Sequence, residues 1–194
     1  SIGPSYTSPA PISAMTSSST GSSSLILISV TGGGGTVGVN VSAASLVTIA
    51  NVRARMNGSV NGASALTVSA TMDYGTVLAV TVAAGGGVVG VNVSAGAVYF
   101  QGKAEASIGG YGTISGVPTI TVRTNGTTNA ISAAATIGGG AVAVGAGMAL
   151  AINRTEVRTS IGDGVTITGA TDVSVTTDFA SDADAIIIGV TGGG

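Results

Sequence analysis

The chain has 194 residues, of which 33 are glycine, with charged residues at 7%, aromatics at 3%, and no Cys, His or Trp. These figures exclude a disulfide framework and thiolate metal centres, and a net charge of −2 leaves no basic footprint for nucleic acid. A hydrophobic content of 44% excludes disorder, and the excess of Gly, Ala, Val, Ser and Thr suits tightly stacked β structure.

The opening SIGPSYTSPAPIS (1–13) has no basic region and no apolar core, so it reads as a mature terminus or a cut, not as a signal peptide. Pro4, Pro9 and Pro11 stand at strand positions there and weaken pairing in this stretch. TSSSTGSSS (16–24) reads as a polar loop. GGG then appears at 33–35, followed by TVGVNVS (36–42). It returns at 85–87 before VVGVNVS (88–94), at 138–140 before AVAVGAG (141–147), and at 192–194, in steps of 52, 53 and 54. MNG (56–58), IGG (108–110) and IGD (161–163) keep the same spacing, as do LTVS (66–69), ITVR (120–123) and VSVT (173–176).

The chain is therefore a single repeat array of about 3.7 copies of a 53-residue unit, at 1–55, 56–107, 108–160 and, in part, 161–194. In register, the serine-rich tract falls opposite TNGTTN (124–129) and TDFASDAD (177–184), so it is one copy of a recurring polar loop and no domain boundary lies there. Each unit reads as a turn, a short strand (VTI, 165–167), a strand (DVSVTT, 172–177), the polar loop, an apolar strand (AIIIGV, 185–190), a GGG turn and a long alternating run. No 3.6-residue periodicity survives the glycines. The uncharged stretches 76–100 and 130–152 accordingly read as strands and not as membrane helices.

In the third copy's long run, Val142, Val144, Met148, Leu150 and Ile152 share one parity, and Ala or Gly fills the other. The expectation is a buried strand whose bulky face fills a core column. Arg154, Glu156 and Arg158 then take the bulky parity, which predicts a corner or bulge near Asn153. The fold class that follows is all-β, a parallel β-solenoid (β-helix). Two coils per unit, three, or one very wide coil all fit. Stacking one period apart puts Ile2, Met56, Ile108 and Ile161 in one column. It pairs Arg53 with Glu105 and Glu105 with Arg158, pairs Lys103 with Glu156, and starts an asparagine ladder at Asn40 and Asn92 that Gly145 interrupts.

Catalytic and cofactor chemistry is not legible. No Lys and Ser/Thr follow any GGG as a P-loop requires, and no helix follows as a dinucleotide fold requires. The glycines read as places where backbone layers meet. The aspartates Asp172, Asp178, Asp182 and Asp184 could supply a weak Ca²⁺ site, but such a polar run reads better as a solvated loop. No clustered Asp, Arg, Lys or His marks a polysaccharide lyase or hydrolase face. No catalytic, cofactor or metal residue is therefore expected. Of the Asn-x-Ser/Thr sequons, Asn125 in the polar loop is the best placed for glycosylation.

IGDGVTITGATDVSVTT (161–177), with GGGAVAVGAGMALAINRTEVRTSIG (138–162), resembles the shaft repeats of large bacterial filamentous adhesins. These are the haemagglutinin-like proteins exported by two-partner secretion, and among them the leukotoxin-like filamentous adhesins. The resemblance implies a right-handed β-helix, an extracellular location on the bacterial cell surface and a part in attachment. It supplies no catalytic residues.

The leading expectation is a structural, non-enzymatic segment of an extracellular filament or adhesin shaft. The alternatives are a filament subunit polymerising end to end by β-strand addition and, third, a carbohydrate-binding or carbohydrate-active β-helix. Expected partners are adjacent copies or flanking repeats of a longer chain, since neither end carries a polar capping repeat, and host-cell or bacterial surface receptors. Neither nucleic acid nor a transmembrane span is expected.

Overall fold

The computed structural model describes residues 5–7, 12–19 and 24–193, with side chains over 24–193. It is all-β. In chain order the strands are β1 (Ser5–Thr7), β2 (Ile12–Ser19), β3 (Leu25–Asn57), β4 (Ser59–Asn61), β5 (Ala65–Gly109), β6 (Thr113–Ser115), β7 (Thr119–Ile161), β8 (Thr166–Thr168) and β9 (Asp172–Gly193). Every strand pairing among the described residues is parallel. The short strands form a four-stranded sheet, β1-β4-β6-β8, and the long ones form a second sheet, β2-β5-β7-β9, with β3 also on β5.

The register fixes the coil. Met56 lies beside Ile108 and Ile108 beside Ile161, while Leu66 lies beside Ile120 and Ile120 beside Val173. Each residue thus meets its equivalent one unit away, and one 53-residue unit is one wide coil of a parallel β-solenoid. Among the described residues the ladder slips twice. One slip lies in β2, and the other places one extra residue of β5 between Tyr74 and Val77. Ile2, Pro4, Pro9 and Pro11 lie outside the described residues.

Contacts across the interior give the cross-section. Ser42 donates from Oγ to the Ser29 carbonyl at 3.0 Å, and Asn153 donates from Nδ2 to Thr128 Oγ1 at 3.0 Å. Thr159 donates to Thr124 Oγ1 at 2.8 Å. The sequence midpoints of these pairs fall at the GGG or its equivalent, so each coil doubles back there into two facing arms. At the other end the short β4, β6 or β8 strand closes the loop. Its corner is made by Gly62, Gly116 and Gly169, with φ of 69°, 62° and 75°, a left-handed conformation that costs glycine least.

The result is a wedge. Its base is filled by Met56, Leu66, Ile108, Ile114 and Ile120, and its middle by Met72 and Phe100, all at most 1% exposed. Towards the GGG edge the interior holds only Ala79, Thr81, Ala83, Asn92, Ser94 and Gly96. A Cβ on Gly96 would come within 2.9 Å of Ser132 Oγ and 3.3 Å of the Ala133 carbonyl oxygen on the facing arm. The two sheets are too close there for a large aliphatic or aromatic side chain.

That spacing reverses one expectation. The small-residue face of the alternating run points inward, and the bulky face points out. Val39 is 66% exposed, Val144 54% and Leu150 51%, so the valines fill no core column. Nor does a corner or bulge occur at Asn153: the ladder runs unbroken from Tyr99 beside Ile152 to Ile108 beside Ile161. Arg154, Glu156 and Arg158 keep the outward parity of the valines. The outer face simply changes from apolar near the GGG edge to charged near the base. The polar segments are also corrected. Residues 124–129 and 177–184 are not loops but lie within β7 and β9, because stacked neighbours satisfy their backbone whatever their side chains are.

Candidate functional site

The GGG edge does not cradle a ligand, because its backbone is engaged by its own neighbours. Gly33, Gly85 and Gly138 stack, as do Gly34, Gly86 and Gly139, and then Gly35, Gly87 and Gly140. A Cβ on Gly87 would collide with the Gly35 carbonyl, and one on Gly140 with the Gly87 carbonyl. The third glycines of the second and third triplets, Gly87 and Gly140, are thus required by the coil beside them. These segments belong to continuous strands, and their role is to let one coil lie on the next.

The asparagines sit just inside this edge. Asn92 is fully buried and Asn40 is 8% exposed. Asn40 donates from Nδ2 to Asn92 Oδ1 at 2.9 Å, and Asn92 in turn donates to the Gly85 carbonyl at 3.4 Å. The next position is Gly145, where a Cβ would come within 2.9 Å of Thr136 Oγ1, so the third coil has no room for a further amide. Asn92→Ala is expected to cost about 1–3 kcal/mol, since it leaves the Asn40 amide only a long bond to the Gly33 carbonyl at 3.5 Å and the Gly85 carbonyl without its side-chain donor. Ser132→Ala is the control. Its buried hydroxyl has no partner, and its removal is expected to be neutral or stabilising. Chemical denaturation of the two variants checks both.

The charged columns lie on the outer face near the base. Arg53 Nε meets Glu105 Oε2 at 3.1 Å, and Lys103 Nζ meets Glu156 Oε1 at 3.1 Å. Arg158 lies beside Glu105 in the ladder but forms no ion pair with it among the described residues. Glu105→Lys would set three like charges in one column. It is expected to destabilise by about 1 kcal/mol at low ionic strength, and the loss should shrink in high salt. Equal stability of the variant and the parent in low salt would remove these columns from the stabilising interactions.

Residues 49–51, 101–103 and 153–156 outline an open groove of about 510 Å³ that crosses three coils. Its Lys103 and Glu156 are already paired with each other. A smaller concavity, of about 270 Å³, lies among Thr71, Asp73, Asn125, Thr127 and Asp178. Asn125 accepts there from Thr71 Oγ1 at 3.0 Å, within a strand and not a loop. Asp172, Asp178, Asp182 and Asp184 are spread along the extended β9, and among the described residues no three of Asp, Glu, His or Cys converge on a metal position. No helix of the described chain is long and apolar enough to cross a membrane.

The hydroxyl lattice between the arms, built from Thr124, Thr128, Thr155 and Thr159 with Asn153, was not singled out from the sequence. Its signal is Ser, Thr or Asn recurring at the small parity of the run. Comparison with protein families, with curated proteins and with solved structures finds no match.

Proposed function

We propose that the chain is a segment of the shaft of an extracellular bacterial surface filament or adhesin, with a mechanical and non-catalytic role. The observation that carries this reading is the in-register pairing of successive coils from Leu25 to Gly193, interrupted by a single one-residue slip in β5. A stack of that kind lengthens by about 4.8 Å per coil, and between its two ends it leaves no open edge. It suits a rod better than a cleft-bearing enzyme. The resemblance to adhesin shaft repeats supports the same reading.

Antibodies raised against the folded chain test location and role together. Labelling of intact cells of the bacterium that makes it, along filaments, is the expected result. Labelling only after lysis would contradict the proposal, as would release of reducing ends from polysaccharide by the purified chain.

A further inference from the structure

The wedge has two broad outer faces, and they carry opposite charge. On the face made by the arms that follow GGG, Arg53, Arg55, Lys103, Arg154 and Arg158 accompany Glu105 and Glu156, a net of +3. On the reverse face, made by the arms that precede GGG, Asp73, Asp172, Asp178, Asp182 and Asp184 accompany Arg123, a net of −4. Of the chain's charges only Asp163, in the turn before β8, belongs to neither. The basic set lies on the base side of its face, and the acidic set runs from the base (Asp172) to the middle of the arm, where Asp182 and Asp184 border the apolar stretch. On the GGG side each face is apolar: Val39, Val91 and Val144 on the basic face, and Ile28, Val80 and Ile188 on the acidic one.

We propose that this chain binds a second copy of itself laterally, the basic face of one wedge seated on the acidic face of the next. Seating one outer face on the other with the GGG edges pointing the same way sets apolar half against apolar half and basic base against the acidic arm. Contact of this kind joins two different surfaces, so it builds rows of copies, turned at each step by the wedge angle, and not an isologous dimer. The apolar half of a face, about 40 Å along the arm and 15–20 Å across the coils, is about 600–800 Å², close to the ~800 Å² per partner of a stable interface. An exposed apolar patch of this size marks an interaction surface. A lipid surface is the poorer occupant. Each face carries ionised side chains in the same plane as its apolar stretch, and an ionised group in hydrocarbon is costly.

The test is a charge swap followed by sedimentation velocity. One variant carries Asp178→Lys, Asp182→Lys and Asp184→Lys, which makes both faces basic. The other carries Arg55→Glu, Arg154→Glu and Arg158→Glu, which makes both faces acidic. Each, alone, is expected to lose self-association relative to the parent by about tenfold or more, and an equimolar mixture is expected to regain it. Far-UV circular dichroism checks that each keeps its β signature. The neutral versions, Asp→Asn and Arg→Gln at the same positions, replace any that does not and are expected to weaken association in the same sense.

A parent that stays monomeric, or a mixture no more associated than its components, would overturn the proposal. So would stronger self-association of the acidic variant alone. That result would show that like-charged faces do not keep copies apart, so that the association does not run through opposed basic and acidic faces. Flotation of the parent with phosphatidylcholine vesicles, without self-association, would also overturn it.

Discussion

Gly87→Ala is expected to lower the unfolding free energy by about 3 kcal/mol or more, from a single added methyl. Gly87 is in the middle coil, with Gly35 on one side and Gly140 on the other. Its Cβ would overlap the Gly35 carbonyl, which is backbone held by its own ladder and cannot move as a side-chain tip can. The coils would have to part along the whole GGG edge. Gly139 provides the matched control, since a Cβ there meets nothing within 4 Å. Gly139→Ala is expected to be neutral or to stabilise slightly, by restricting the unfolded chain. Urea denaturation of the two variants gives the comparison, and equal costs at the two sites would mean that the third glycine is not a contact between coils.

Phe100→Ala is expected to cost about 3–5 kcal/mol. Phe100 is 1% exposed, and its ring lies 5.4 Å from that of Tyr74 at an angle of 60°. Gly102 is adjacent, and the close approach of Met72 and Phe100 to it leaves no spare volume. No small residue nearby can collapse into the cavity, because the arms are pinned by their ladders. Val144→Thr, on the outward parity and 54% exposed, is expected to change stability by no more than about 0.5 kcal/mol. Thermal melts at a concentration where the chain is monomeric check the contrast. If Val144→Thr proved the costlier change, the faces would be oriented the other way round.

That orientation is where the sequence was least legible. Alternation along 141–152 divides the residues into a bulky and a small set, but it does not say which set faces inward. The deciding quantity is the distance between the two arms, which closes towards the GGG edge and admits only Gly, Ala, Ser, Thr and Asn. Hydrophobicity alone points the wrong way there. The polar segments misled for a related reason. Side-chain polarity suggests a loop, yet Thr127 beside Ala180 and Asp73 beside Thr127 are ordinary ladder pairs. Repetition was far more legible, because it shows in every class of residue at once. The pairings Asn40 with Asn92, Arg53 with Glu105 and Lys103 with Glu156 follow from counting one period along the chain, and they coincide with contacts at 2.9, 3.1 and 3.1 Å. The number of coils per period was not fixed by counting, since a period states that equivalent residues stack and not how many times the chain circles between them.

The most direct measurement is disulfide formation between introduced cysteines, in a chain that has none of its own. Lys103 and Glu156 are neighbours in the ladder, at the roughly 4.8 Å spacing of adjacent strands, which falls within the ~4.4–6.8 Å between Cα atoms that a disulfide spans. Lys103 and Asn129, half a period apart, lie on opposite outer faces of the wedge. With one coil per 53 residues, Lys103→Cys with Glu156→Cys cross-links within the monomer under mild oxidation, and Lys103→Cys with Asn129→Cys does not. Ready cross-linking of the half-period pair, with none in the full-period pair, would contradict the single wide coil on which the two facing arms and the outward valines rest.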